Sequence, residues 1–472
     1  MAEDPDQEGR EATWAMTEFG AALLGDARRT ARLVRLAETL GARPSASLPD
    51  ACADHAQLKA AYRFFANEAV EPTALLAPHA EATIARLAPQ PLVLAVQDTT
   101  ELDFTHHPAT SGLGALNDTS HQGLFVHSTL AFTPDRVPLG VLAQQVWTRD
   151  PATLGQQPDH KTRPIAEKES QKWLTSLRAV VAAAGRCPAT HLVSVGDREA
   201  DVYDLFLEPR PAGVDLLVRA VQHRRVEAEA GYLWAAVAAA PVAATVALAV
   251  PRHGGRPART ATLTLRWAAL TLRAPTHRAA EHLPNVPVWA VRAREERPPP
   301  GVEPLDWRLL TTCPVATADE ARDRLAWYAC RWGIELWHKV LKSGCQIEAR
   351  QLADAAHLRR SLALYSVIAW RLLYATLLSR AVPDAPCTLL LEPDEWRALV
   401  CRIQHVPIPP ADPPTLRQAV HWIAHLGGFP GRRQDGEPGV IVLWRGLQHL
   451  ADLTVMYAIM KPPPPPRVVG KG

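Results

Sequence analysis

Tyr328, Arg331, Glu335 and Lys342 stand in the segment AWYACRWGIELWHKVLKSG with the spacing Y-x2-R-x3-E-x6-K. At roughly 100° per residue they fall at about 0°, 300°, 340° and 320° around a helix axis, so one face carries all four. That face combines a carboxylate able to hold a metal ion with two cations able to hold phosphate. Such a mixture suits phosphodiester chemistry better than core packing. Two more acids stand where the backbone would fix them rigidly. Asp98 closes the apolar run PLVLAVQD, and Asp197 closes HLVSVGD. If two strand ends and one helix converge, three carboxylates supply the hard oxygen ligands that Mg²⁺ or Mn²⁺ takes. Two such ions about 4 Å apart would activate an attacking oxygen and stabilise a leaving one. Either aspartate alone would read as a turn residue or a helix cap. The case for chemistry rests on the joint pattern.

These side chains need elements to position them. Residues 10 to about 72 read as helical, with Leu23, Leu24, Leu33, Leu36 and Leu40 supplying apolar spacing and Gly41 and Pro44 ending it. Arg28, Arg32 and Arg35 share one face of that helix, and a second helix around HAQLKAAYRFFAN carries Lys59 and Arg63. The plain reading is a solvated basic face, and the sharper one a phosphate-tracking module. From about 73 the pattern turns to strands, at PLVLAVQDTT and over 128–134 and 137–147. A helix near 166–184, the strand ending at Asp197 and a further helix follow. That order suits a mixed sheet flanked by helices.

Residues 219–312 alternate apolar and polar side chains as half-buried antiparallel strands do. Arg219, Arg224, Arg225, Arg252, Arg256, Arg259, Arg292, Arg294 and Arg297 crowd this stretch, which reads as a β insertion with a basic surface. After about 375 the chain is helical and punctuated by proline. A last helix is expected over 444–460, ahead of a KPPPPPRVVGKG tail that reads as disordered.

Composition sets wide limits. The 472 residues carry 47% hydrophobic and 21% charged side chains, enough for a substantial core. A net charge of +2 neither demands nor excludes nucleic acid. The seven cysteines form no C-x2-C pair, which argues against a zinc ribbon or a disulfide framework and fits a reducing, cytoplasmic setting. The N-terminus lacks a secretory h-region, and no run of about 18 uninterrupted apolar residues predicts a membrane span. A phosphate-binding G-x4-G-K-[ST] loop and an H-E-x-x-H zinc motif are both absent.

Taken together, these motifs resemble the DDE transposases of the transposon-five type, in the bacterial insertion-sequence group with the Y-R-E-K signature. LGDARRTARLV (24–34) and AYRFFAN (61–67) are similar to the family's N-terminal DNA-binding segment. VQDTT, GDREADVYD and YACRWGIELWHKVLK are similar to the stretches carrying its acids, and EKESQKWL (167–174) and LGGFPGRR (426–433) also match. The resemblance implies an α/β architecture: an RNase H-like mixed-sheet catalytic core over 73–375 with an inserted antiparallel β subdomain at 219–312. A helical DNA-binding domain over 1–72 and a helical dimerisation domain over 376–472 would flank it.

The resemblance also implies catalysis by Asp98, Asp197 and Glu335 around Mg²⁺, with Mn²⁺ able to substitute, in a two-metal site. Each transposon end would be nicked, closed as a hairpin, reopened and joined to target DNA by a homodimer. Tyr328, Arg331 and Lys342 would hold phosphates, and Trp307 would stack on a base flipped out at the hairpin. Arg28, Arg32 and Arg63 would contact the double-stranded end. Two other readings stay open on the residues alone: a non-catalytic protein that occupies transposon ends, and an RNase H-like nuclease without strand transfer.

Overall fold

The computed structural model describes residues 13–150, 163–250, 258–432 and 435–460. Arg252, Arg256, Arg433 and the proline tail lie outside them. The chain begins with α1 (Trp14–Phe19), α2 (Ala27–Ala42), α3 (Leu48–Ala51), α4 (His55–Phe65) and α5 (Pro72–Leu87). Short polar side chains start these helices. The carboxylates of Asp26 and Asp54 accept from the backbone N–H groups of Arg28 and Gln57 at 2.8 Å, satisfying donors that a helix N-terminus leaves open. Then come β1 (Leu92–Asp103), β2 (Gly114–Ala115), β3 (Gln122–Phe132), β4 (Pro138–Trp147), α6 (Gln171–Ala184) and β5 (His191–Gly196). They are followed by α7 (Tyr203–Leu207), β6 (Val214–Arg219), α8 (Leu233–Ala239), β7 (Ala244–Val250), β8 (Arg259–Leu272), β9 (Val286–Glu295) and β10 (Asp306–Thr311). The chain closes with α9 (Ala318–Ala329), α10 (Trp332–Lys339), α11 (Ala355–Ala381), α12 (Pro393–Gln404), α13 (Leu416–Leu426) and α14 (Val440–Met460).

Two compact units result. One comprises Met1–Pro78, Lys339–Arg350 and Ala356–Gly472, the other His79–His338 and Gln351–Ala355. This partition differs from the three-part division read along the sequence, because the segments 1–72 and 376–472 fall in the same unit.

The second unit is built on one ten-stranded mixed sheet in the order β2-β3-β1-β5-β6-β10-β9-β8-β7, with β4 pairing on β3. β1 and β3 run antiparallel, whereas β5 runs parallel to both β1 and β6. The strands expected as an inserted subdomain therefore continue the same sheet: β10 pairs with β6 from Leu309↔Arg219 to Thr311↔Leu217. Alternation within 219–312 reported strand character correctly but carried no record of which strand each would join. Three arginines of the expected basic surface are paired with acids. Arg224 pairs with Asp201 at 2.6 Å, Arg292 with Asp306 at 2.9 Å, and Arg259 with Glu295.

The helical unit is organised around α11. By length and composition this helix would cross a membrane, yet 83% of its apolar window is buried inside the protein. Arginines interrupt its apolar run without making its average polar. Arginines on α11 and just ahead of it serve the packing. Arg360, 7% exposed, donates to the carbonyls of Val70 at 2.7 Å and Phe65 at 3.0 Å. Arg350 donates to the carbonyl of Pro44 at 2.6 Å, and the Arg371 guanidinium lies 4.8 Å over the Trp14 ring. Buried cations thereby satisfy loop carbonyls that would otherwise be stranded away from water. Replacing Arg360 with Met keeps the bulk but removes both donors. The expected loss is about 3 kcal/mol, seen as an earlier urea midpoint by tryptophan fluorescence; an unchanged midpoint would show that these bonds hold nothing together.

Candidate active site

The two aspartates are aligned by strand pairing. β1 and β5 are parallel neighbours whose last shared rung is Val96↔Val195. Asp98 and Asp197 each stand two residues beyond it, so alternation turns both toward the same face of the sheet. Neighbouring strands lie about 4.8 Å apart, which sets the scale of their approach. A buried polar layer sits beside them. The Gln97 amide donates to the Ser194 hydroxyl at 2.7 Å, tying β1 to β5. The Thr99 hydroxyl meets the His127 ring at 2.9 Å, tying β1 to β3. Burial, with Lys172 and His338 nearby, pushes His127 down to about 3, so it is a neutral strut at ordinary pH.

Glu335 arrives from α10, and the path to it departs from the single helix read in the sequence. α9 ends at Ala329. Backbone N–H groups of Cys330, Arg331, Gly333 and Ile334 then donate three residues back, a tighter step than the α-helix. Gly333 permits it: a Cβ there would stand 2.7 Å from the Phe132 ring of β3. Beyond α10 the chain forms a π turn, Val340–Gly344, closed by Cys345 N–H to the Val340 carbonyl at 2.8 Å. Uniform 100° spacing therefore fails on both sides of α10. Lys342 falls within the helical unit, where it pairs with Glu348 at 3.2 Å.

Arg331 is the cation at the centre of the acids. Its guanidinium reaches Asp98 at 3.4 Å and also bonds Glu335. Even so, Asp98 is pushed up to about 7, chiefly by burial and further by the charges of Asp197 and Glu335, against the pull of Arg331 and the Thr99 N–H. Asp197 is raised as well, by burial first and by Glu199, while accepting the Glu199 N–H at 2.8 Å. Asp98 thus feels both other acids, the electrostatic signature of a carboxylate held near like charge. The donors are all hard oxygens, which fits an alkaline-earth or manganese ion.

Tyr328 is buried and raised by that burial, with Arg331, Arg219 and Asp197 around its hydroxyl. Trp307 of β10 is 8% exposed and packs edge-on against Tyr328, ring centres 5.6 Å apart. Sequence reasoning missed four neighbours. Arg219 ends β6 against Tyr328, and His338 lies 4.0 Å from Asp98. Trp332 and Leu336, flanking Glu335, are 48% and 41% exposed. Arg219 was visible only as one arginine of a crowd. An exposed tryptophan between a catalytic-type Arg and Glu was the available signal for Trp332. Beside the acids opens a cavity of about 930 Å³, whose lining includes Thr99, Trp147, Arg149, Lys172 and Arg198. Arg149 stacks 3.9 Å over Phe125, and Lys172 stands 5.6 Å over Trp147. Both cations are committed to carboxylates of the same lining, Arg149 to Glu169 and Lys172 to Glu199 at 3.0 Å.

In the helical unit, Arg28, Arg29 and Arg32 of α2 and Lys59 and Arg63 of α4 line a groove of about 500 Å³. Arg29 is committed to the Leu24 carbonyl at 2.8 Å. Among the described residues Arg28, Arg32, Lys59 and Arg63 have no ion-pair partner. Arg35 is not part of the lining.

Comparison with known families finds matches at both ends of the chain. Residues 11–70 match the family model described as "Transposase DNA-binding". Residues 367–459 match the one described as "Transposase Tn5 dimerisation domain".

The raised Asp98 has a thermodynamic consequence. Its folded value, about 7, lies above the ordinary 3.8. The folded state therefore binds the proton more tightly, and the associated stability is present below about pH 4 and lost as pH rises through 7. Without divalent ions, Asp98→Asn should stabilise the protein by on the order of 2–4 kcal/mol at pH 8 and very little at pH 4. Thermal melts across that range check it. An Asn variant no more stable than wild type at pH 8 would mean that the folded state does not hold the Asp98 carboxyl above its ordinary value.

Proposed function

We infer that this chain, which belongs to the Tn5-type transposases, binds transposon ends and works as a DDE transposase, cutting them and joining their 3′ hydroxyls to target DNA. The convergence of Asp98, Asp197 and Glu335 on Arg331, at the end of two parallel strands, carries this reading. An antiparallel β4-β3-β1 meander followed by parallel β5 and β6 supports an RNase H-like core.

Mg²⁺, or Mn²⁺ in its place, would be held by the three carboxylates and would supply a polarised phosphodiester and an acidified attacking water. The protein's own groups do the rest by position and charge. Arg331, released from its carboxylates when other positive charge arrives, is placed to take a phosphate oxygen in a two-pronged bond. Tyr328 and Arg219 back it with hydrogen-bond donors, and so restrict where that phosphate sits. Trp307, once uncovered, and the already exposed Trp332 offer aromatic faces to an unstacked base. That is what a hairpin intermediate asks of the site, since its strand must bend sharply. Lys342 would act as a further phosphate contact.

The groove between α2 and α4 would track the end DNA. Its free cations bind phosphate without reading sequence. On α14, Val455, Met456, Ile459 and Met460 are 53–76% exposed, and their i, i+4 spacing makes one apolar stripe suited to a second copy of the chain.

Purified protein incubated with Mg²⁺ and DNA carrying the inverted repeats that flank its gene should yield nicks, then hairpins, then joined products. Asp98→Ala, Asp197→Ala and Glu335→Ala should each cut cleavage by about a thousandfold or more while leaving end binding within about twofold. Cleavage at wild-type rate by any one of them would remove the metal assignment. A wild-type chain that retards end DNA yet never cuts it in Mn²⁺ would instead mark a non-catalytic end binder. Separately, Arg32→Ala and Arg63→Ala should each weaken end binding and lower the slope of log affinity against log salt by about 1. An unchanged slope would move the DNA path away from this groove.

A further inference from the structure

A second cluster of ligand-type side chains lies at the opposite end of the sheet from the acids. His191 is the first residue of β5, Asp215 the second of β6, and Cys313 follows β10 by two residues. Strand register brings them together. Val193 pairs with Asp215, so His191, two residues earlier, shares its face. β10 and β6 pair through Thr311↔Leu217, and the Thr312 N–H donates to the Leu216 carbonyl at 3.1 Å. Carried on, that register sets Cys313 opposite Asp215. One ligand atom from each of the three lies within 4.8 Å of the others. His191 Nε2 stands 2.9 Å from Asp215 Oδ2.

We propose that His191, Asp215 and Cys313 bind a borderline divalent cation of the Zn²⁺ type, as a site distinct from the acidic centre. A thiolate, an imidazole and a carboxylate are the ligands such an ion prefers, with water in the fourth tetrahedral position. The Cys313 thiol is 1% exposed, whereas the His191 and Asp215 side chains are 35% and 22% exposed. The soft ligand thus sits at the back and the solvent path at the front. Supporting bonds orient the set: the Thr312 hydroxyl donates to Asp215 Oδ1 at 2.6 Å, and the Cys313 N–H donates to the Thr311 hydroxyl at 3.1 Å. Such outer contacts fix ligand geometry in metal sites. Metal binding would replace the hydrogen bond between His191 and Asp215 and release the thiol proton of Cys313.

The two centres would select different metals. Mg²⁺ avoids sulfur and takes only oxygens, whereas the mixed cluster discriminates the other way. Asp197 lies six positions after His191, about 20 Å along the strand. The ion would therefore clamp β5, β6 and β10 without touching the scissile phosphate.

Full-length protein freed of affinity tags, equilibrated with buffered Zn²⁺ and desalted, should retain one zinc per chain by elemental analysis. Co²⁺ loading should give a thiolate-to-cobalt absorption band. Cys313→Ser should lose both, and Asp98→Asn should keep both. His191→Ala, at the more exposed end of the cluster, should lose the zinc and thus serves as the second test if Cys313→Ser misfolds by circular dichroism. Zinc well below one equivalent in the folded wild type would overturn the proposal, as would zinc and the cobalt band surviving in folded Cys313→Ser. Loss of zinc in Asp98→Asn with retention in His191→Ala would assign the ion to the acidic centre and overturn it too.

Discussion

Like charge held close in a poorly solvated place is the constraint around which the sheet unit is arranged. Asp98 and Asp197 are brought side by side by hydrogen-bonded strands, and Glu335 is added from a helix. Left alone, those carboxylates would separate or take up protons. Three devices keep them together. Arg331 bridges Asp98 and Glu335. Backbone N–H groups of Thr99 and Glu199 donate to the two aspartates. The β1–β5 pairing, reinforced by Gln97 and Ser194, resists the splaying that repulsion would otherwise produce. The centre remains short of positive charge, which fits the proposed binding of a divalent cation.

The helical unit solves a different problem by related means. Irregular segments such as 43–47 and 66–71 present carbonyls to a core that offers few donors. Arg350 and Arg360 answer with buried guanidinium groups. An arginine is suited to this because several N–H donors diverge from one planar head. The N-terminal helices are thereby fixed to the C-terminal bundle, so the matched DNA-binding and dimerisation segments share one packed body. Among the described residues Arg28, Arg32, Lys59 and Arg63 have no ion-pair partner, which keeps their charge available at the surface.

How much of this was legible in the sequence follows from the range of each interaction. Asp98 and Asp197 could be located because an apolar run ending in an acid is a local pattern, and strand ends are local events. The grouping of Arg331 with Glu335 was legible for the same reason. The tight step at 330–334 and the π turn at 340–344 were not. Helical periodicity assumes one pitch throughout, and Gly333 departs from it only because Phe132, two hundred residues earlier, lies against it. The continuation of β6 into β10 is likewise a long-range pairing that alternation cannot encode. Arginines over 219–297 looked like a surface charge because their acidic partners, Asp201, Glu295 and Asp306, are distant in the chain or on a neighbouring strand.

Strand register has one more implication. Asp98 and Asp197 face the same way only because each stands an equal distance past a common rung on parallel neighbours. A single-residue insertion or deletion within 92–98 or 191–197 would turn one carboxylate to the far side of the sheet while leaving every apolar residue a strand to join. Changes in length are therefore far more harmful to this chemistry in those two heptapeptides than in the loops between them. Across related chains, gaps should collect outside those heptapeptides even where side-chain identity drifts freely within them.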